Sequence, residues 1–268
     1  MTNIHPTAVV HPTAKIDPAA QIGPYAIIGE DAVIGAGTTV GAHAVVEFAT
    51  LGKDNRLHPG CYVGTAPQDL KYAGEKTRLS MGDKNVVREC VTLNRGTGQG
   101  GETRIGSGCL FMAYSHVAHD CHIGNGIVLV NSVGIAGHVE IGDHTVVGGI
   151  SGIHQFVRIG RFCMIGGGSM VGKDIPSFCM CQGDRATLRG LNVVGLRRSG
   201  LPRQTVSAIR EAYRALFLSG RPLEAALAEL KAPDALPEVL DMVQFIESSK
   251  RGVMRPATGA QAEEEVTL

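Results

Sequence analysis

The chain has 268 residues, 44% of them hydrophobic, and carries 25 basic against 25 acidic residues. That is enough apolar material for one large domain with a smaller appendage, and the balanced charge argues against a nucleic-acid footprint or a polybasic membrane anchor. Trp is absent, aromatics make up 4% and glycine reaches 36 residues, so an aromatic-rich core is excluded and many tight turns around small aliphatics are expected.

The N-terminus, "MTNIHPTAVVHPTAK", has neither the basic n-region nor the apolar h-region of a signal peptide. No apolar run approaches the ~20 residues that would span a bilayer, so no stable membrane insertion is expected and any lipid must arrive in a pocket or on a soluble carrier. The seven cysteines are odd in number and contain no C-x-x-C pair. They read as reduced thiols of a cytoplasmic protein rather than a disulfide framework.

From Ile4 the chain keeps a six-residue clock. Ile4, Val10, Ile16, Ile22, Ile28, Ile34, Val40 and Val46 are aliphatic, and a slip of five leads to Leu51, Leu57 and Val63. Met81, Val87 and Leu93 resume it, and twelve apolar residues in step run from Ile105 to Val171. At this composition twelve hits have a chance probability of roughly 5 in 100,000 before any choice of phase. A glycine commonly follows the aliphatic residue, as at Gly23, Gly29, Gly124, Gly142 and Gly166. Neither a 3.6-residue helix nor a simple alternating strand repeats at six. A short strand and a corner do, and three such units close a triangular coil of about 18 residues. The expected fold is mainly β: a parallel β-helix of hexapeptide repeats over residues 1–189.

Two polar or Gly-rich stretches break the clock, residues 64–80 ("GTAPQDLKYAGEKTRLS") and 94–104 ("NRGTGQGGETR"), and are expected to loop out of the prism. After Val171 the clock fades and helical signals begin. Pro202 and Pro222 suit first helical turns and Gly220 a helix stop. Val206, Ile209, Tyr213 and Leu216 share one helical face, Leu223, Ala226, Leu227 and Leu230 a second, and Leu240, Val243 and Ile246 suggest a third. Residues 190–253 are therefore expected to form a small C-terminal helical domain, and 254–268 a disordered tail.

The coil turns sequence into geometry, because residue n sits beneath residue n+18. His119 falls under Gly137, Asp120 under His138, His122 under Glu140, and His154 above Ala136. His119, Asp120, Gly137, His138 and His154 are thus expected along one edge of the prism. His5, His11, His43, His58 and His144 read as corner decoration, Cys121 as a small filler at a turn, and His122 as scaffold. A neutral imidazole at His119 can act as a base near pH 7 if a partner such as Asp120 fixes its tautomer. The Gly137 N–H, one coil rise away, can stabilise an oxyanion, which suits attack on an acyl carbonyl. No metal and no cofactor is required. The rival readings are a zinc-dependent carbonic anhydrase of the hexapeptide type and a non-catalytic scaffold.

An ordered set of motifs is more specific: "PQDLKYAGE" (67–75), "NRGT" (94–97), "HVAHDC" (116–121), "AGHVEIGD" (136–143), "IHQF" (153–156), "QGDRAT" (182–187) and "NVVGLRRSG" (192–200). Together they resemble the UDP-N-acetylglucosamine O-acyltransferases that begin lipid A synthesis, over residues 4–250. The resemblance implies a left-handed coil and a homotrimer with sites between neighbouring prisms. It further implies transfer of a (3R)-3-hydroxyacyl chain from acyl carrier protein to the glucosamine 3-hydroxyl of a UDP-sugar. By similarity His119 is the general base, Asp120 its assistant and Gly137 the oxyanion donor. His116, His138, His154 and Gln155 match sugar- and acyl-binding positions. Gln68, Asp69 and Lys71 match contacts from the adjacent subunit, and Asn192 and Arg198 match uracil-side and diphosphate contacts. Gly167 matches the position that limits acyl length, and a glycine there implies a chain near fourteen carbons.

Two departures stand out: Asn94 where relatives often carry histidine, which bears on a 3-amino acceptor, and Ser199 where many carry a basic residue. The related N-acyltransferases have an extra N-terminal domain for which a clock starting at Ile4 leaves no room. Arg203, Arg210 and Arg214 are candidates to meet an acidic carrier.

Overall fold

A computed structural model describes residues 3–257. Three parallel sheets form the faces of a triangular prism, with nine, eight and ten strands. Face one runs from Val9–Val10 to Met170–Val171, face two from Lys15–Ile16 to Arg158–Ile159, and face three contains Gln21–Ile22 through Met164–Ile165. Most strands are two residues long because a corner follows every repeat. Registers advance by one coil: Val117 pairs with Ile135, Ile135 with Ile153 and Ile153 with Val171.

The clock residues are the core. Ile28, Val46, Val63, Val117, Ile135 and Ile165 are fully buried, whereas Val10, in the first coil with none beneath it, is 37% exposed. A second buried column lies two residues before each aliphatic, through Ala26, Ala44, Cys61, Cys109, Cys121, Val139 and Cys163. Only small or branched side chains fit where the coil turns inward to its corner, which explains why most of the cysteines sit there. Among the described residues sixteen non-glycine positions have positive φ, including Asp120 (57°), His138 (59°) and Phe156 (65°). That left-handed conformation is costly for residues with a Cβ, and the backbone ladder holds it at each corner.

The two interruptions are narrower than their composition suggests. Tyr62–Thr65, Arg78–Met81, Thr92–Asn94 and Glu102–Ile105 are strands, leaving loops over 66–77 and 95–101. Residues 64, 65, 78–80, 94 and 102–104 are thus in the sheets: the feet of the loops pair with each other, Arg78 with Glu102 and Thr65 with Asn94.

The prism closes with a hairpin, Cys179–Gln182 paired antiparallel to Thr187–Leu191. Helices α1 (Val193–Arg198), α2 (Arg203–Phe217), α3 (Leu223–Glu229) and α4 (Pro237–Glu247) follow. Leu240 is 40% exposed, so the buried face of α4 is carried by Val239, Met242, Val243 and Ile246. The helices are tied to the prism by Arg161–Asp241 (3.1 Å) and by Arg158, which reaches Ser248 and lies over the Phe245 ring. Residues 254–257 are part of this fold rather than a loose tail. Met254 is buried, its N–H donates to the Asp174 carbonyl, and Leu188 donates to the Arg255 carbonyl. Residues 258–268 lie outside the described residues. Among the described residues no helix is long and apolar enough to cross a membrane.

Candidate active site

The corner between faces one and two gathers His119, Asp120, Gly137 and His138. His119 is buried, and its Nδ1 lies 2.8 Å from Asp120 Oδ2. With Asp120 ionised, Nδ1–H is the donor, which leaves the Nε2 lone pair free for a substrate proton. Burial would raise the Asp120 carboxyl, but hydrogen bonds from Thr97 and His119 outweigh it and hold the group below the usual carboxylate range.

Gly137 sits over the imidazole. A Cβ there would fall 2.5 Å from His119 Cε1 and 2.7 Å from Nε2, so only glycine permits this approach. The corner leaves its N–H without an acceptor among the described residues, since the neighbouring His138 N–H makes the ladder bond to the His119 carbonyl. One coil up, His138 meets the His119 ring edge-on at 5.1 Å, with its Nε2 3.7 Å from Asp120 Oδ2. Phe156 stacks on His138 at 4.7 Å. Burial lowers the His138 pKa, with Asp120 opposing and the His119 charge adding to the fall. His116, hydrogen-bonded to Thr92 Oγ1 at 2.7 Å, is also lowered, by burial first and then by His119.

The first loop folds back onto this corner, where Asp69 Oδ2 lies 4.0 Å from His119 Nε2. Asp69 thus stands beside the histidine of its own chain. Gln68 and Lys71, beside it, are exposed. The loops are pinned by Arg95, which is buried. It pairs with Glu47 (3.1 Å), donates to the Gly64 carbonyl (2.9 Å) and the Tyr72 hydroxyl (3.1 Å), and lies over the Phe48 ring.

Other expected residues lie elsewhere. Gln155 stands in the column above Gly137, but the His154 imidazole turns to the C-terminal segment, where Arg251 Nη2 is 2.8 Å from its Nδ1. The coil placed its backbone correctly; the side-chain direction came from residues 97 positions away. Asn192 caps α1 through Gly195 N–H and donates to the Phe162 carbonyl, at the corner between faces two and three. Arg198 is exposed at the end of α1, and Gly167 is exposed at the remaining corner. Within one chain these three do not meet His119. Sequence reasoning missed Thr97, Arg95, Phe156 and Arg251 as site-building residues. Phe156 alone had a positional signal, one coil above His138.

His119, Asp120 and His138 offer ligand atoms within 4.8 Å of one another, a set that could hold a metal ion. The 2.8 Å His119–Asp120 separation is that of a hydrogen bond, however, and two ligands on a tetrahedral zinc stand about 3.3 Å apart. The geometry favours an acid-oriented base facing a free N–H donor, an arrangement for proton abstraction and acyl transfer.

Comparisons with known proteins point to one acyltransferase family. Residues 174–254 match the family described as UDP N-acetylglucosamine O-acyltransferase, domain 2, and residues 13–48 and 102–137 match bacterial transferase hexapeptide repeats. The acyl-[acyl-carrier-protein]–UDP-N-acetylglucosamine O-acyltransferase of Verminephrobacter eiseniae is 48% identical over 262 residues, covering 95% of this chain and all of that one. The Myxococcus xanthus enzyme of the same description is 50% identical over 208 residues, 77% of this chain and 81% of its own. The crystal structure of UDP-N-acetylglucosamine O-acyltransferase from Moraxella catarrhalis superposes with a TM-score of 0.92 at 44% identity, covering 95% of this chain and all of that one. The fold is accordingly a left-handed parallel β-helix with a small helical C-terminal region, and the chain belongs to the UDP-N-acetylglucosamine O-acyltransferase family.

Proposed function

We propose that this chain transfers a (3R)-3-hydroxyacyl group from acyl carrier protein to the 3-position of UDP-N-acetylglucosamine, the first step of lipid A synthesis, in the cytoplasm. The observation that carries the mechanism is the oriented pair His119–Asp120 beneath Gly137. His119 Nε2 takes the proton of the sugar 3-hydroxyl, and that oxygen attacks the thioester carbonyl. The Gly137 N–H receives the developing oxyanion. Collapse expels the carrier thiolate, which takes the proton back from the imidazolium, so the base is regenerated. Asp69, 4.0 Å from Nε2, is placed to share the incoming hydroxyl.

The working unit is a homotrimer. On face three Val86, Leu110, Val128, Val146 and Met164 stack outward in register, an apolar stripe only half covered within one chain. Face two presents Lys15, Arg104, His122, Glu140 and Arg158 instead. An apolar face beside a charged one supports assembly through face three. A neighbouring chain then supplies Asn192 and Arg198 to the nucleotide and Gly167 to the end of the acyl channel, residues that one chain keeps away from His119.

The test is transfer from 3-hydroxyacyl carrier proteins of graded length by wild type and His119→Ala. The expected result is a preference near fourteen carbons and a loss of about 100-fold or more in kcat for the variant. Full activity of a folded, trimeric His119→Ala would refute the mechanism, and a strong preference for ten carbons would refute the role of Gly167. The 3-amino sugar analogue belongs in the same assay. Asn94 is buried with its Oδ1 unpartnered among the described residues, and the assay reads whether this departure changes the acceptor.

A further inference from the structure

Asp120 is held from outside its own coil. Thr97, in the second loop, donates its hydroxyl to Asp120 Oδ2 at 2.6 Å and its backbone N–H to Oδ1 and Oδ2 at 3.0 and 3.1 Å. The same Oδ2 accepts His119 Nδ1–H. The loop that brings Thr97 there is tightly folded. A Cβ on Gly101 would meet the Thr97 carbonyl and one on Gly96 the Gly101 backbone, while Gly96 N–H donates to the Arg78 carbonyl. Thr97 is half-buried. We infer that Thr97 is a positioning residue for the reaction: it fixes the Asp120 carboxylate so that one oxygen orients His119 and the acid does not itself draw the proton. This inference rests on the reading of His119–Asp120 as the catalytic pair.

The physical argument concerns how the negative charge on Oδ2 is shared. Two donors from Thr97 stabilise that charge and fix the carboxylate plane. Without the hydroxyl, Asp120 loses one of the hydrogen bonds that hold it below the usual carboxylate range, so it takes up a proton at higher pH and then no longer orients His119. The charged and titratable groups around His119 are Asp120, Asp69 from the first loop, His138 from the next coil and His116 on the preceding strand. Of these, Asp120 alone is hydrogen-bonded to Thr97 among the described residues.

The experiment compares Thr97→Val, which keeps shape and N–H but loses the hydroxyl, with Thr97→Ser, which restores it, in full pH–rate profiles. A charge-assisted hydrogen bond of this kind predicts a kcat about tenfold or more below wild type for Thr97→Val. KM should change little, the acid limb should move to higher pH, and Thr97→Ser should recover most of the rate. In an Asp120→Asn background Thr97→Val should add almost nothing. A wild-type kcat and acid limb in Thr97→Val would overturn the inference. So would a loss confined to KM, a Thr97→Ser as impaired as Thr97→Val, or a full multiplicative loss in the Asp120→Asn background. An active Asp120→Asn enzyme would remove the catalytic pair and this inference with it; an impaired Asp120→Asn beside an unimpaired Thr97→Val would remove this inference alone.

Discussion

Gly137→Ala puts the proposed chemistry under direct strain. The backbone at this corner position needs no positive φ, so alanine is conformationally acceptable. Its methyl would stand 2.5 Å from His119 Cε1, 2.7 Å from Nε2 and 3.1 Å from Nδ1. Ordinary carbon contacts begin near 3.5 Å, so the imidazole must retreat by about 1 Å. It cannot do so and keep both Nδ1 on Asp120 at 2.8 Å and Nε2 next to the oxyanion donor. A displacement of that size in a reacting group costs about 100-fold in rate. The overpacking lies at a corner, not in the core, and should reduce folding stability by no more than about 1–3 kcal/mol. The assay is acyl transfer from 3-hydroxyacyl carrier protein under saturating sugar, run beside a thermal melt. A kcat within about threefold of wild type would refute both the tight approach and its catalytic importance.

Arg95→Met removes the pin between the two loops and leaves Glu47 and the Gly64 carbonyl without their partner. Denaturant unfolding should show a loss of about 3 kcal/mol, and acyl transfer should fall as Asp69 and Thr97 lose their support. Titration of native protein with a thiol reagent should count one fast-reacting cysteine, Cys90, against seven after unfolding, because the other six are buried. Burial also pushes the Cys61, Cys121 and Cys181 thiols up to about 12 and Cys109 to about 11, away from the reactive thiolate. Glu102 lies between Arg78 (2.9 Å) and Arg104 (2.7 Å). Burial would raise its carboxyl, but the two guanidinium bonds prevail and hold it at about 2. Its contribution to stability is thus present above the unfolded value near 4.3 and is lost as pH falls toward 2. Denaturation curves across that window should be flatter for Glu102→Gln than for wild type.

The sequence alone determined the coil. A strict period of six leaves each aliphatic one solution, the interior of a three-sided prism, and stacking at 18 then placed Gly137 over His119, His138 over Asp120 and Glu140 beside His122. Those relations are local in coil space and follow from the ladder. The sequence also marked two interruptions, but not their feet, since residues such as Arg78 and Glu102, which pair with each other at the loop ends, lie off the clock. Leu240 was misjudged because a single helix does not declare which of two adjacent apolar residues faces its neighbour. Residues 254–257 read as a tail by composition, and only packing against Asp174 and Leu188 ordered them. What tertiary structure decided was every contact made off the repeat: Thr97 on Asp120, Asp69 beside His119, Arg95 beneath both loops and Arg251 on His154. Periodicity fixes the position of residues on the scaffold, whereas a loop's return path depends on long-range pairing that no spacing in the chain encodes.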